Sequence, residues 1–176
     1  MPEPPMRERQ TARVVLLDPG GRVLLMKGRL PSDPEGPSFW YTVGGGLEDG
    51  ESLVDAARRE VVEETGLADV VLGPTVWRDE VVLHDVEGER RLFRQSYIVA
   101  HTAGGTLSRA GWLDHERWLT DDLRWWTLEE LQLTDEMVYP EGLAELLPDV
   151  IAGRYAAEPL VICTPDGPVR PIPHPP

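Results

Sequence analysis

The segment that most constrains this chain lies at residues 45–67 and has the sequence GGLEDGESLVDAARREVVEETGL. Ser52 is a good helix N-cap, and Asp55, three residues later, can complete a capping box and faces the positive end of the helix dipole. Gly66 suits the left-handed position that ends a helix. The segment therefore predicts a helix over residues 53–64.

Three glutamates of this predicted helix, Glu60, Glu63 and Glu64, lie within one arc of about 100°, at the edge of its apolar face. Carboxylates at this spacing repel one another, and a divalent cation would relieve the repulsion. Mg²⁺ takes oxygen ligands, whereas zinc prefers the His and Cys ligands that this cluster lacks. Arg59 precedes Glu63 by four residues and can pair with it, which indicates a structural role that holds the acids in place.

A run of glycines from Gly44 to Gly46 comes shortly before the helix. Because glycine has no side chain, the backbone here can approach a ligand closely. Glu51 lies just before the helix, where it could join the metal ligands or only favour the helix dipole. The competing explanation is a solvated helix surface with ion pairs, which is common for Glu-rich helices. That explanation predicts neither the glycines nor Glu51, so we favour a metal site.

Nine residues of the segment match the spacing of a known motif: Gly45, Glu51, Arg59, Glu60, Val61, Glu63, Glu64, Gly66 and Leu67. The segment resembles the Nudix box, and a match at all of its required positions is not expected by chance. The order of the strands before the box and the WWTLEEL sequence after it also resemble that family. The resemblance implies an α/β fold, an α/β/α sandwich with a mixed β-sheet.

The resemblance also implies a chemistry, which is hydrolysis of a phosphoanhydride bond in a nucleoside diphosphate linked to another group. Mg²⁺ or Mn²⁺ would bind Glu60 and Glu64, with Glu63 as a third ligand and the Gly44 carbonyl as a further one, and would activate water and shield phosphate charge. The general base is left open between Glu64, Glu63 and Glu116, the last of which lies in a predicted loop.

Substrate contacts are expected from the strands that follow the box. Arg78, Arg91 and Arg94 could bind phosphate, and Trp77 or Phe93 could stack on a base. Each has a structural alternative, because a strand aromatic is more often packed in the core and a strand arginine is more often solvated.

The net charge of −14 argues against a basic surface for a nucleic-acid duplex and favours a small anionic substrate held by metal and local arginines. Cys163 is the only cysteine, so an intramolecular disulfide is excluded and a reducing compartment is expected. The sequence has no signal-peptide pattern and no run of about 18 apolar residues, so we expect a soluble, cytoplasmic protein without membrane contact. A homodimer is the default expectation for the oligomeric state.

The chain is predicted to form one domain, residues 11–163, between a flexible N-terminus, 1–10, and a Pro-rich C-terminal tail, 164–176, that is extended or disordered. Strands are predicted at residues 12–18, 22–27, 40–43, 70–72, 77–83, 92–101 and 122–126, with a further apolar segment at 160–163. Short helices are predicted near residues 129–131 and at 142–151. Residues 30–38 and 102–119 are predicted loops, and 85–90 a charged turn.

Two other functions stay open, because one fold can host several. A non-catalytic nucleotide-sensing domain would be expected to have lost an acid from the REVVEE sequence, which is complete here. An isoprenoid-diphosphate isomerase would need an acid and base at the carbon skeleton, often a Cys and a Glu, and Cys163 lies in a near-terminal strand poorly suited to that role. The sequence therefore favours hydrolysis and leaves the identity of the diphosphate open.

Overall fold

Most of the chain is organised around one β-sheet. The computed structural model describes residues 6–84 and 87–168. Its strands are β1 Arg7–Leu17, β2 Val23–Gly28, β3 Phe39–Gly46, β4 Val70–His84, β5 Arg90–Thr102, β6 Thr120–Trp126, β7 Val138–Tyr139, β8 Leu160–Thr164 and β9 Gly167–Pro168. Its helices are α1 Leu53–Thr65, α2 Asp114–Leu119, α3 Leu128–Leu133 and α4 Leu143–Ile151.

The strands lie across the sheet in the order β6-β2-β3-β1-β5-β4-β8-β9, and β7 pairs with β3. The central strand β1 pairs in parallel with β5 and antiparallel with β2 and β3. The sheet is therefore mixed, and it brings the glycine end of β3 directly beside β1.

Helices cover both faces of this sheet. Alternate residues of a strand point to opposite faces, and on β1 Val14 packs in one core cluster with Val61 of α1. Val15 packs in a second cluster with Leu147 of α4. The predicted α/β/α sandwich with a mixed β-sheet is confirmed.

Helix α1 begins and ends at the predicted caps. The Asp55 N–H donates a hydrogen bond to Ser52 Oγ at 3.1 Å, and the Ser52 hydroxyl donates to the Asp55 carboxylate at 2.6 Å. Gly66 adopts the left-handed conformation with φ of 74°, and its N–H donates to the Val62 carbonyl. The helix includes Thr65 and so ends one residue later than predicted.

Two elements after α1 differ from the sequence prediction. β4 is one strand from Val70 to His84, where the sequence predicts two, because β5 pairs along its whole length and register shifts around Thr75 absorb the interruption. The predicted loop at residues 102–119 ends in helix α2. A helix of six residues is too short to show a clear helical period in the sequence.

Both predicted domain boundaries fall inside strands. β1 begins at Arg7, ahead of the predicted boundary at residue 11, because residues 7–10 pair with β5. β8 continues to Thr164 and forms a hairpin with β9, so the predicted tail begins within the sheet. Parts of the predicted N-terminus, turn and tail, at residues 1–5, 85–86 and 169–176, lie outside the described residues. None of the described helices is both long and apolar enough to cross a membrane.

Candidate active site

The glycine run at the end of β3 lies against the acidic edge of α1. The Gly44 N–H donates a hydrogen bond to Glu64 Oε2 at 2.7 Å, and Gly44 has φ of 133°, which favours glycine. A Cβ at Gly45 would collide with the carboxylate of Glu60, whose Cδ would lie only 2.7 Å away. The glycines therefore let two box glutamates approach the backbone of β3.

Glu60 and Glu64 are the buried acids of the site, with only 7% and 6% of their surface exposed. Burial raises the pKa of Glu60 above its ordinary value, although the Arg59 guanidinium acts in the opposite direction. Burial, followed by the charge of Glu60, raises the pKa of Glu64 well above its ordinary value. A cation bound between the two acids would oppose both effects.

Arg59 is held by three acids and one carbonyl. Its Nε and Nη2 donate to the two carboxylate oxygens of Glu51 at 2.8 and 2.9 Å, and its Nη1 donates to Glu60 at 2.7 Å and to Glu63 at 3.1 Å. Nη2 also donates to the Gly46 carbonyl at 3.1 Å. The bonds from Arg59 lower the pKa of Glu51 to about 2. Arg59 thus lies where a residue that positions the acids would be expected.

The donor atoms of the site fit a hard cation only in part. The carboxylates of Glu60 and Glu64 and the Gly44 carbonyl are all oxygen donors, which suits Mg²⁺ or Mn²⁺ and not zinc. Arg13 Nη1 already donates to the Gly44 carbonyl at 3.0 Å and uses one of its lone pairs. Within residues 6–84 and 87–168, no three His, Cys, Asp or Glu side chains are grouped closely enough to hold a metal ion. Glu63 is turned to Arg59 instead and is half exposed.

Glu116 is brought to this site by α2. Its charge contributes to the raised pKa values of both Glu60 and Glu64, so it lies within electrostatic reach of them. Its own Oε2 accepts a hydrogen bond from the Leu113 N–H at 2.7 Å. The segment before α2 is fixed to α1, because the buried Trp112 donates from Nε1 to the Glu64 carbonyl at 2.6 Å.

The predicted substrate residues do not gather at the acids. Trp77 is 2% exposed and packs in the core cluster that contains α4, so it has no free ring face for stacking, and its prediction as a substrate contact is wrong. Arg78 and Arg94 line a separate cavity of about 560 Å³. Arg94 pairs there with Glu8 and Glu80 at 3.0 and 3.1 Å.

The other two candidates lie on the first half of β5. Arg91 pairs with Glu87 at 3.4 Å, and Phe93 is partly exposed opposite Val81 of β4. Their role as substrate contacts stays a prediction.

A row of aromatic residues that the sequence does not single out begins beside the acids. The rings of Tyr41 and Phe39 have centroids 5.6 Å apart, and those of Phe39 and Tyr139 are 5.3 Å apart in an edge-to-face arrangement. Burial first, and also the charges of Glu64 and Glu116, raise the pKa of Tyr41, which places its ring within reach of both acids. Tyr139 reaches the row only through the pairing of β7 with β3, which no local sequence pattern reveals.

The fold and the site define a class of protein, a three-layer α/β sandwich in which a capped helix presents acids to a glycine run. The sequence matches the family profile of the NUDIX domain over residues 7–149. This chain therefore belongs to the Nudix family, as its box predicts.

Two curated proteins are similar to parts of this chain. An octanoyltransferase of Myxococcus xanthus is 48% identical over 64 residues, which are 36% of this chain and 17% of that protein. An RNA pyrophosphohydrolase of Novosphingobium aromaticivorans is 34% identical over 100 residues, which are 52% of this chain and 60% of that protein. The chain spans less than two-thirds of the length of either relative.

Among solved structures, the chain is similar to the crystal structure of a MutT protein from Methanosarcina mazei Go1. The TM-score is 0.61 at 17% identity, with coverage of 86% of this chain and 97% of that one. A likeness at this identity shows the shared fold alone.

Proposed function

We propose that this chain is a pyrophosphohydrolase that depends on a divalent cation and cleaves a phosphoanhydride bond in a nucleoside diphosphate derivative. The observation that carries the proposal is the buried pair Glu60 and Glu64, held against the Gly44 backbone with raised pKa values. Two neighbouring buried acids of which only Glu60 is paired with an arginine are an unusual cost for a fold, and such perturbed groups concentrate at functional sites.

The residues that would hold the cation are Glu60, Glu64 and the Gly44 carbonyl, with Glu63 as a further ligand if it leaves Arg59. A bound divalent cation would activate water and shield phosphate charge. Glu116, on α2, is the candidate proton acceptor outside α1. It lies within electrostatic reach of both buried acids, and its own side chain is only partly buried. Glu63 and Glu64 stay as the alternatives.

The aromatic row of Phe39, Tyr41 and Tyr139 favours a substrate with a nucleobase. Tyr139 is 47% exposed, so the outer end of the row is open to a ligand. Aromatic rings next to an acid site can stack on a base while the phosphates reach the cation. The relative named as an RNA pyrophosphohydrolase is consistent with a pyrophosphate attached to a nucleotide.

No observation on the described residues supports either alternative function, the sensing domain or the isomerase. The box acids that a sensing domain would be expected to lose are present, and Glu60 and Glu64 are buried. The thiol of Cys163 lies on β8, which is separated from β3 by β1, β5 and β4, and its pKa is raised by burial. An isomerase that used this thiol beside the acids would need a different arrangement.

The test is a panel of substrates with Mg²⁺ or Mn²⁺: nucleoside triphosphates, ADP-ribose, dinucleotide polyphosphates, NADH, sugar nucleotides, isopentenyl diphosphate and an RNA with a 5′-triphosphate. Glu64→Gln keeps the size of the side chain and removes its charge, and Glu129→Gln on α3 is the matched control. We expect phosphate or pyrophosphate release in the wild type and the control that falls by at least about a hundredfold in Glu64→Gln. Absence of turnover of every substrate, with nucleotide binding retained, would favour the sensing domain.

A further inference from the structure

Three residues of β1 face the glycine run from the neighbouring strand. Arg9, Thr11 and Arg13 alternate along β1 and so share one face of the sheet with Val15, opposite to the face on which Val14 packs against α1. Thr11 is paired with Gly46, and Arg13 with Gly44. The space that side chains would fill on β3 is therefore open to the groups on β1.

The guanidinium group of Arg9 occupies that space at Gly46, and that of Arg13 contacts the Gly44 carbonyl. A Cβ at Gly46 would collide with the Nε, Nη2 and Cζ atoms of Arg9, so this guanidinium lies directly against the glycine. Arg13 donates from Nη1 to the Gly44 carbonyl at 3.0 Å and from Nε to Gln95 Oε1 at 2.7 Å. Both cations therefore reach the backbone that carries the candidate active site.

Neither arginine has a carboxylate partner among the described residues, although the chain has 31 Asp and Glu against 17 Lys and Arg. Most of the other described arginines do have one: Arg22, Arg29, Arg59, Arg91, Arg94, Arg109, Arg124 and Arg154. The carboxyl group behind Arg13, that of Asp79, is joined to it only through Gln95, whose Nε2 donates to Asp79 at 2.8 Å.

Thr11 provides a second, independent observation. Its residue is only 3% exposed, and its Oγ1 has no hydrogen-bond partner. Buried hydroxyl groups are nearly always paired, so this orphaned one, which lies on β1 between Arg9 and Arg13 in sequence, requires an explanation. The charge of Arg13 also acts on Glu64, so this arginine lies within electrostatic reach of the buried acids. An anion would accept hydrogen bonds from all three side chains.

We infer that Arg9, Thr11 and Arg13 form a phosphate-binding subsite that holds a phosphate group of the substrate next to the glycine run. The inference rests on the proposed function for the identity of the anion. Guanidinium groups match phosphate in shape and charge and form short, charge-assisted hydrogen bonds with it. Gln95 fixes the orientation of Arg13 before the ligand arrives, whereas Arg9 is exposed and can turn to it.

The experiment is calorimetric titration of the full chain with inorganic pyrophosphate in EDTA, so that binding depends on the protein's own cations. Arg9→Gln and Arg13→Lys are the test variants, and Arg90→Gln, which removes an exposed charge from the first residue of β5, is the matched control. We expect each test variant to weaken binding by about tenfold and the control by less than about twofold. Equal affinity in Arg9→Gln and Arg90→Gln would overturn the inference.

Thr11→Val separates a ligand contact from a purely structural role. Valine has the same shape without the hydroxyl, so it removes an unpaired buried group from the free protein. We expect thermal stability to stay equal or rise while pyrophosphate binding weakens by about threefold. Unchanged binding in this variant, together with unchanged binding in Arg13→Lys, would show that Thr11 and Arg13 have only a structural role.

Turnover distinguishes this inference from the proposed function. If the wild type cleaves no substrate of the panel but binds pyrophosphate through Arg9 and Arg13, the phosphate-binding subsite is supported and the hydrolase function is refuted. If it cleaves substrates and Arg9→Gln leaves KM unchanged, the hydrolase function is supported and the phosphate-binding subsite is refuted. A nucleoside diphosphate and a short RNA with a 5′-triphosphate, used as competitors of pyrophosphate, identify the source of the phosphate.

Discussion

Replacement of Arg59 by methionine tests whether this residue holds the acidic site together. Methionine keeps most of the length and the apolar stem of the side chain but removes the guanidinium group. The change leaves three acids without their shared partner: Glu51, Glu60 and Glu63. Arg58 on the same helix is exposed and has no ion pair among the described residues, so Arg58→Met is the matched control.

The magnitude follows mainly from Glu60, whose side chain is 10% exposed. Removing one partner of a buried ion pair typically costs about 3–5 kcal/mol, because the other charge is left uncompensated. Arg59 is itself 22% exposed, so the lower end of that range applies. Glu63 is half exposed and adds only about 0.3 kcal/mol. We expect Arg59→Met to lose about 3 kcal/mol of unfolding free energy, which lowers Tm by about 9 °C.

The loss should depend on pH, with a sign set by the two acids. The pKa of Glu51 is lowered to about 2 in the wild type, so its stabilising effect is present above the ordinary value near 4.5 and is lost as the pH falls toward 2. The pKa of Glu60 is already raised by burial and would rise further without Arg59. A raised carboxyl pKa lowers stability as the pH rises through the window above the ordinary value. The difference between wild type and Arg59→Met should therefore be larger at pH 7 than at pH 3.

Urea denaturation of wild type, Arg59→Met and Arg58→Met at both pH values measures this difference. A double-mutant cycle with Glu51→Gln then isolates the Arg59–Glu51 coupling. The reasoning is refuted if Arg59→Met loses less than about 1 kcal/mol at pH 7. It is also refuted if the loss is the same at both pH values, since that would assign the effect to packing.

Gly45→Ala should lower turnover by at least about tenfold with a small change in Tm, because the new Cβ displaces the Glu60 carboxylate; a kcat within about twofold of wild type would contradict this. Trp112→Phe removes the hydrogen bond to the Glu64 carbonyl and should lower the free energy of unfolding, measured by urea denaturation, by about 1–2 kcal/mol. An unchanged free energy of unfolding would show that the segment before α2 does not unfold together with the rest of the domain. Asp79→Asn should gain stability relative to wild type between pH 4 and 7, because burial raises the pKa of this carboxyl and the raised value lowers stability as pH rises; parallel stability curves would show that it is not the titrating group.

The features that local sequence predicts well are those set by local contacts. Ser52 and Gly66 fix the ends of α1 to within one residue, because an N-cap hydroxyl and a left-handed glycine act on their own turn of helix. The offsets within the box place Glu60 and Glu64 on one edge of the helix for the same reason. The identity of the family and the acids at the site therefore follow from about an eighth of the chain.

The features that the sequence misplaces depend on pairing between distant strands. Trp77 and Arg78 are neighbours on β4, and which of them points to the core is decided by the register with β5. Tyr139 joins the aromatic row only because β7 lies beside β3. Arg13 has no local pattern that separates it from a solvated strand arginine, and the role proposed for it depends on contacts with Gly44 and Gln95, which are remote in sequence.

The glycine run is where these local and distant contributions meet. Each of its residues is approached by charged side chains from a different element: Gly44 by Glu64 and Arg13, Gly45 by Glu60, and Gly46 by Arg9 and Arg59. A Cβ would collide with the Ala12 carbonyl at Gly44, with the Glu60 carboxylate at Gly45 and with the Arg9 guanidinium at Gly46. The site therefore depends on the absence of side chains from β3 as much as on the identity of its acids. This is why the box pattern, which requires one glycine here, describes only part of what this chain uses, and why substitutions in the run should disturb acid and cation functions together.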